Sequence, residues 1–338
     1  MQNTSFTGFL EDFGRMFPPA MIYREGEDFR QWQQRFYDVV DGLRGPLPPR
    51  TDLRTELRAS IEEDGYTRHV LRIAVTEITT LTAYLLVPHG LQPGEKRPGL
   101  LVSHGHANYG IDSICGVREL DKGPEAVQRA YAMHAVRAGY VVLAPSWWGW
   151  VDRDGHTDRC GPGEDKCNKI QMAASMYGLS VLALHMQDGQ AALDVLAARP
   201  EVDAKRIGCI GNSYGGRTTM WLTVFDKRIR AAVAAGCMNT FRERSLKLAS
   251  CGIQYFPGIL RYGDVKEVFS LIAPRPLQLQ AGALDRLVTP SDRDDIAVTV
   301  RQAYQSLQAE DQLDYILHEQ GHILLWELAE PFLRRHLG

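Results

Sequence analysis

The sequence lacks the features that would point to a membrane or a nucleic acid. No apolar run reaches the ~18 residues that a membrane-spanning helix needs. The first 14 residues are polar and acidic, without the basic start and apolar stretch of a signal peptide, so we expect a cytoplasmic protein. Lysine and arginine form no long run, and the net charge of -3 argues against a nucleic-acid surface.

Cysteine is sparse, and its spacing argues against a structural zinc site. The 338 residues include six cysteines, of which no two form a C-x-x-C pair. Cys209 and Cys237 lie in apolar runs and are predicted to be small core residues. Cys160 and Cys167 flank a loop rich in glycine and proline. A disulfide between them is sterically feasible, but in a cytosol the two thiols would usually stay reduced. We therefore expect neither a metal nor a cofactor.

What the chain does contain is the composition of a globular protein, with 44% hydrophobic and 23% charged residues. Residues 1–60 read as a helical arm packed on the main domain, with amphipathic helices at 6–17 and 29–43 separated by prolines. Over 61–338, strand-like runs alternate with helical ones, which predicts an α/β fold with a mostly parallel sheet covered by helices on both faces. A less regular stretch at about 237–267 is predicted to be an insertion that shapes a pocket.

Two further helices can be placed in that domain. A long helical stretch is predicted between the loop at 149–168 and Arg199. A second helix is predicted over 291–307, with Ser291 as its N-cap.

The chain is organised around the hexapeptide Gly211-Asn212-Ser213-Tyr214-Gly215-Gly216. A short apolar run precedes it and a helical run follows it, and a strand, a sharp turn at serine and a helix form a nucleophile elbow. The glycines two residues before and two after the serine leave room for strand and helix to pass closely. Ser213 is therefore the candidate nucleophile, and the alternative is a tight turn with an idle serine.

A serine hydroxyl needs a base, and the base needs an orienting acid. Asp285 follows the predicted strand 277–281 and precedes the next helix, so it is the candidate acid. Two histidines follow the last predicted strand. His322 lies in a turn that can deliver its imidazole to the serine and is favoured as the base, whereas His318 is expected to have a structural role.

An oxyanion hole requires two backbone N–H groups that face the developing negative charge. Tyr214 follows the nucleophile and supplies one, and His106 lies in a loop after an earlier strand and is the candidate for the other. His104, in the same loop, is expected to brace it through a side-chain hydrogen bond. Zinc binding by His104 and His106 is the alternative, but no third ligand is apparent from the sequence.

Three tryptophans, Trp147, Trp148 and Trp150, follow another predicted strand. They could serve packing alone, or they could form an apolar or sugar-stacking wall beside the site. The acidic stretch 152–158 lacks the last glutamate of a calcium loop and is predicted to be solvated.

These motifs resemble those of the α/β-hydrolase superfamily. The loop at 104–106, the run that ends in the hexapeptide, and the late aspartate and histidine are similar to its dienelactone-hydrolase-like and acetyl-xylan-esterase-like branch, as is the run Ala273-Pro274-Arg275-Pro276. The resemblance covers about 65–338. Dienelactone hydrolases use a cysteine nucleophile, so Ser213 points to the esterases. Acetyl xylan esterases often carry tyrosine where this chain has His106.

The resulting hypothesis is a serine carboxylic-ester hydrolase that acts through an acyl-enzyme on small or medium acyl esters, which could include acetyl esters of carbohydrates. Its partner is a small-molecule ester; the sequence does not indicate an oligomeric state. One alternative is a serine peptidase of the prolyl-oligopeptidase type, although 60 N-terminal residues cannot form the β-propeller that such enzymes usually carry. The other is a non-catalytic binding protein on the same fold.

Overall fold

The structure is a computed structural model that describes residues 5–24, 26–106, 109–118, 128–150, 153, 166–246 and 250–338. Its strands are β1 (Thr55–Glu63), β2 (Tyr66–Thr76), β3 (Thr79–Pro88), β4 (Arg97–Ser103), β5 (Val141–Pro145), β6 (Val202–Asn212), β7 (Ile229–Ala235), β8 (Leu277–Gly282) and β9 (Leu313–His318). They form one sheet in the order β1-β2-β3-β5-β4-β6-β7-β8-β9.

The α-helices lie between and beside these strands. They are α1 (Phe6–Met16), α2 (Phe29–Gly42), α3 (Ile111–Cys115), α4 (Tyr131–Arg137), α5 (Lys166–Ser175), α6 (Val181–Ala198), α7 (Tyr214–Phe225), α8 (Phe241–Leu246), α9 (Val265–Ser270), α10 (Pro290–Ser306) and α11 (Trp326–Leu337). Short 3-10 turns occur at Gly252–Gln254, Ile259–Arg261 and Glu310–Gln312. In the part of the chain that the structure describes, no helix has the length and apolar character to span a bilayer.

The sheet is mostly parallel, as predicted. Neighbouring strands from β5 through β4 to β9 pair in parallel, whereas β1, β2, β3 and β5 pair antiparallel. The central strands are apolar on both faces because helices cover both. Leu101 and Leu143 face one hydrophobic core, and their neighbours Leu100 and Val142 face the other. The predicted α/β fold is confirmed, and the carboxyl ends of its parallel strands share one edge.

The N-terminal segment differs in part from the predicted packed arm. Helix α2 buries its aromatic face in the core, including Trp32 and Phe36. Helix α1 does not pack this way, since its phenylalanines are exposed. The sheet also begins earlier than predicted, because β1 crosses residue 60. This edge strand is exposed along most of its length, although Leu57, Ala59 and Ile61 alternate with polar residues as in a strand.

Two helix predictions need correction. The stretch predicted to be one long helix up to Arg199 is α5 followed by α6, and the break includes Gly178 at φ 71°. Helix α10 begins at Pro290 with Thr289 as its N-cap, and not with Ser291. Proline suits the first helical position because it lacks the N–H that would find no acceptor there.

Some sequence predictions fall outside the described residues. They are Cys160 and hence its disulfide with Cys167, and the acidic loop 152–158 apart from Arg153.

Candidate active site

Ser213 lies at the turn between β6 and α7 in the strained conformation of a nucleophile elbow. Its φ and ψ are 62° and -121°, a region that non-glycine residues rarely occupy. Such a conformation costs of order 1–3 kcal/mol and persists only where the surroundings enforce it. Here the backbone N–H of Ser213 donates to the carbonyl of Ala235 on β7, at 2.8 Å. The turn thereby projects the serine above the carboxyl edge of the sheet.

The two glycines of the motif are required by contact. A Cβ at Gly211 would lie 2.4 Å from the carbonyl oxygen of Gly215. A Cβ at Gly215 would lie 2.2 Å from the carbonyl oxygen of Ser103 at the end of β4. Both approaches are to backbone, which cannot move aside. The elbow is therefore tightly packed between its own strand and the neighbouring one.

His322 and Asp285 are hydrogen-bonded to each other. The Nδ1 of the imidazole lies 2.7 Å from Oδ2 of the carboxylate. The other carboxylate oxygen accepts the backbone N–H of Leu287 at 2.8 Å, which fixes the orientation of the acid. The Asp285 side chain is completely buried and the His322 side chain is 28% exposed. A buried acid that holds a partly open imidazole is the arrangement by which a triad orients its base.

Ser213 and His322 line the same small cavity. The Nδ1 of His322 is engaged by Asp285, so Nε2 is the nitrogen left for the serine. Among the described residues Nε2 has no hydrogen-bond partner. Gly236 lets the imidazole approach, since a Cβ there would lie 3.1 Å from its Cε1. His318 is instead an acceptor for the backbone N–H of Gln320, in line with the structural role predicted for it.

His104 braces the loop after β4, as the sequence predicts. Its Nδ1 lies 2.9 Å from the carbonyl of Gly105, and its Nε2 accepts the backbone N–H of Trp147 at 3.2 Å. The ring therefore links the ends of β4 and β5. Beneath it, the Tyr131 hydroxyl donates to the carbonyl of Ser103 at 2.6 Å. This network fixes the backbone against which the elbow packs.

The buried His104 makes stability depend on pH. Burial lowers the pKa of His104 to about 4, and nearby His106 lowers it further while the bond to Gly105 opposes this. Below the ordinary pKa of 6.5, His104 is protonated in the unfolded chain but stays neutral in the folded protein until the pH falls to about 4. Acid therefore favours the unfolded state. We predict that the free energy of unfolding falls by about 2 kcal/mol between pH 7 and pH 5 through this group alone.

The measurement is denaturant unfolding of the wild type and of His104→Gln at both pH values. Each protein gives a loss of unfolding free energy between pH 7 and pH 5, and the difference between the two losses isolates the contribution of His104. His185, whose pKa burial lowers, and Glu267, whose pKa burial raises to about 7, titrate in both proteins, so most of their contribution cancels. Equal losses of stability in the two proteins would refute the assignment.

One candidate oxyanion donor directly follows the serine, and the loop that carries the other lies close to it. Tyr214 is the first residue of α7, so its N–H has no acceptor within the helix. The loop of His106 lies over the nucleophile, since a Cβ at Gly105 would be 3.2 Å from the Cβ of Ser213. The phenol of Tyr214 is buried, contacts Nδ1 of His185, and donates to the carbonyl of Ile253 at 3.2 Å. These contacts hold the start of α7 in place.

The predicted tryptophan wall needs correction. Trp147 is fully buried and donates its indole N–H to Ser103 Oγ at 3.0 Å, so it serves packing and cannot contact a substrate. Trp150 is also buried, stacked on Tyr214 with ring centroids 5.8 Å apart. Trp148 alone is partly exposed and lies under the Arg153 guanidinium, at 3.9 Å.

Sequence reasoning missed two arginines in the cavity. Arg217 and Arg244 line it together with Asn239 and Gln254, and the described residues that line it include no carboxylate. Arg217 is almost completely buried, and its Nη2 contacts Asn239. Its Nε and Nη1, and Nη1 of Arg244, have no hydrogen-bond partner among the described residues. Burial lowers the pKa of Arg217 to about 10, so it remains a cation at neutral pH.

A pair of thiols beside His106 was also missed. Cys251 Sγ lies 2.9 Å from Nε2 of His106, and Cys167 adjoins it. Hydrogen bonds from Cys167 and His106 outweigh burial and lower the pKa of Cys251 to about 5. The three residues are far apart in sequence, so no local motif could reveal them.

Comparison with known proteins finds similarity to hydrolases. Residues 185–260 match the family model described as BAAT / acyl-CoA thioester hydrolase C terminal, and this region includes the elbow. A presumed hydrolase, YtaP of Bacillus subtilis, is 26% identical over 285 residues, which cover 83% of this chain and 90% of that protein.

Solved structures share the architecture along almost the whole chain. A presumed acetyl xylan esterase from Bacteroides fragilis superposes with a TM-score of 0.79 at 17% identity, covering 99% of this chain and 95% of the other. A glucuronoyl esterase from Solibacter usitatus gives a TM-score of 0.70 at 16% identity, covering 95% and 98%. The predicted likeness to the esterase branch is thereby confirmed in the fold.

Proposed function

We propose that this protein is a serine carboxylic-ester hydrolase. The observation that carries the proposal is the strained Ser213 on its elbow, in one cavity with a histidine that a buried aspartate orients. A serine held at a cost in backbone strain, beside a base with a free nitrogen, is suited to nucleophilic attack. The hydrolase and esterase relatives agree with this chemistry.

In the proposed mechanism, His322 Nε2 takes the proton of Ser213 as Oγ attacks the ester carbonyl. Asp285 holds the imidazole and stabilises the imidazolium. The N–H groups of Tyr214 and His106 bind the oxyanion, and the leaving alcohol receives its proton from His322. Water then cleaves the acyl-enzyme by the same route. These residues complete the reaction without a metal or a cofactor.

The test of reaction class is a panel of substrates. It contains p-nitrophenyl esters of rising acyl length, acetylated sugars and a peptide p-nitroanilide. The proposal expects turnover of the esters, and the small cavity favours short acyl groups. Cleavage of the amide but not of the esters would instead support the peptidase, and no turnover of any would support a binding protein. The predicted cytoplasmic location and the absence of a nucleic-acid partner remain predictions.

The arginines favour a substrate that carries a carboxylate near the ester. Two guanidinium groups with unbonded N–H groups line a cavity without a lining carboxylate. A buried cation with unbonded N–H groups is costly, and an anion from the substrate would offset that cost. Acidic sugars and dicarboxylate half-esters both provide such an anion. Carbohydrate esters, which the names of the structural relatives suggest, fit this class when the sugar is acidic.

This preference can be measured with matched esters. The first pair compares mono-p-nitrophenyl succinate, which carries a carboxylate in its acyl group, with neutral p-nitrophenyl butyrate. The second pair compares 4-acetoxybenzoate, which carries a carboxylate in its alcohol, with neutral phenyl acetate. We predict that, in one of these two pairs, the charged ester has a higher kcat/KM than its neutral counterpart. Arg244→Gln should reduce that advantage by about tenfold to a hundredfold, because a charge-assisted hydrogen bond is lost.

Arg242→Gln is the control, since Arg242 is an exposed neighbour on the same helix and is not among the cavity-lining residues. The proposed preference would be abandoned if Arg244→Gln slowed charged and neutral esters equally. That result would leave the esterase function itself intact.

A further inference from the structure

We propose that His106, Cys167 and Cys251 form a binding site for zinc beside the oxyanion loop. Nε2 of the imidazole and the two sulfurs all lie within 4.8 Å of one another. The cysteines are buried and His106 is exposed, so the cluster lies at the protein surface with its sulfurs turned inward. The proposed esterase mechanism uses the backbone N–H of His106 and neither thiol, so this site is additional to it.

The surrounding structure holds the ligands in place before any metal arrives. Cys167 lies on α5, and Cys251 precedes the 3-10 turn Gly252–Gln254. These segments are joined by a hydrogen bond of 2.7 Å from the Gly252 N–H to Asn168 Oδ1. They also pack closely, because a Cβ at Gly252 would lie 2.9 Å from Gln171 Cγ. The two thiols are therefore fixed next to each other by contacts that do not involve them.

The imidazole is fixed from other sides. The ring of His106 lies 5.0 Å from the ring of Tyr214 and 5.4 Å from that of Trp150, measured between centroids. Its Nε2 points at Cys251 Sγ, at 2.9 Å. Three donors from three segments thus converge on one point, although 61 and 84 residues separate them along the chain (167 - 106 and 251 - 167).

The donor set selects the class of ion. One imidazole and two thiolates suit zinc, whereas magnesium and calcium require oxygen ligands that the cluster lacks. Tetrahedral zinc places sulfur and nitrogen ligands roughly 3.5 Å apart, so the His106 ring must withdraw by only about half an ångström. Zinc would replace the proton now shared by Nε2 and Sγ. Gln254 Nε2, 3.7 Å from Cys251 Sγ, supplies an outer hydrogen bond to the thiolate.

Three protein ligands leave the fourth zinc position for water, and the exposure of His106 provides access to it. The sequence predicted no zinc site because it lacks C-x-x-C and because His104 and His106 had no third ligand. His104 braces the loop, because its Nε2 accepts the backbone N–H of Trp147. The ligands come instead from segments that only the fold brings together.

The site can be tested on the whole protein, reduced and stripped of metal. Cobalt(II) is the probe, because thiolate–cobalt bonds give a charge-transfer absorption that oxygen or nitrogen ligands do not. We expect that absorption to saturate at one cobalt per chain and to disappear when zinc displaces the cobalt. Cys167→Ser and Cys251→Ser should each weaken binding at least about tenfold, and His106→Gln should do the same.

Cys115→Ser is the matched control, because Cys115 is equally buried but lies on α3, which packs against the other core. It should bind cobalt as the wild type does. The proposal would be overturned by the absence of a thiolate–cobalt band, or by a band that survives both Cys167→Ser and Cys251→Ser. Because the readout is a spectrum, failure of the esterase assays would not affect it.

Discussion

Replacing Ser213 by alanine should reduce kcat for p-nitrophenyl ester hydrolysis by roughly 10⁶-fold. The hydroxyl is the only group in the proposed mechanism that forms a bond to the acyl carbon, so no neighbour can substitute for it. Alanine keeps the Cβ and therefore the contacts of the elbow. The variant should remain folded, which its thermal midpoint will show, and kcat and KM should be compared on the same ester.

Ser245→Ala provides the control for that experiment. Ser245 lies on α8 near the cavity, and its hydroxyl only donates to the carbonyl of Phe241. Its loss should leave kcat within a few-fold of the wild type. A folded Ser213→Ala protein that still hydrolyses esters at the normal rate would rule out the acyl-enzyme mechanism.

Replacing Asp285 by asparagine should lower kcat by about 10⁴-fold with a much smaller change in KM. The amide keeps the size of the carboxylate but can present an N–H to Nδ1 of His322, which favours the wrong tautomer of the base. The charge that stabilises the imidazolium also disappears. Since Asp285 contacts His322 at 2.7 Å and is fully buried, no other residue can move into its place.

Two substitutions sharpen this prediction. Asp294→Asn changes an exposed acid that pairs with Arg293 on α10 and should leave kcat unchanged. His322→Gln should be about as damaging as the loss of Ser213, whereas His318→Gln should affect stability more than kcat, because the imidazole of His318 accepts the backbone N–H of Gln320 in its own turn. If His318→Gln instead abolished activity and His322→Gln did not, the base would be misassigned.

The sequence predicts the arrangement of Ser213, Asp285 and His322 because local chemistry dictates where such residues lie. The glycines around Ser213 are required by backbone contacts under 2.5 Å, and such requirements leave a readable pattern. The acid and base follow strands in a fixed chain order, so Asp285 and His322 could be chosen without knowing their distance. His104 was predicted to brace its loop, and its bond to the Trp147 backbone agrees.

What the sequence did not predict depends on contacts between distant segments. Trp147 looked available to a substrate, yet the fold buries it because it packs behind the loop of His104. Arg217 reads as an ordinary helix residue, and only the fold turns its guanidinium into the cavity beside Arg244. Strand β1 was missed for another reason, since its alternation is short, at Leu57, Ala59 and Ile61, and the strand is largely exposed.

The central claim is that Ser213 is the nucleophile that His322 activates. Its most direct test is labelling with a fluorophosphonate, which phosphonylates activated serines, followed by peptide mass spectrometry. We expect one label per chain, on the peptide that contains Ser213, and much slower labelling of the His322→Gln protein. A label on a different residue, or equally fast labelling of the wild type and His322→Gln, would contradict it.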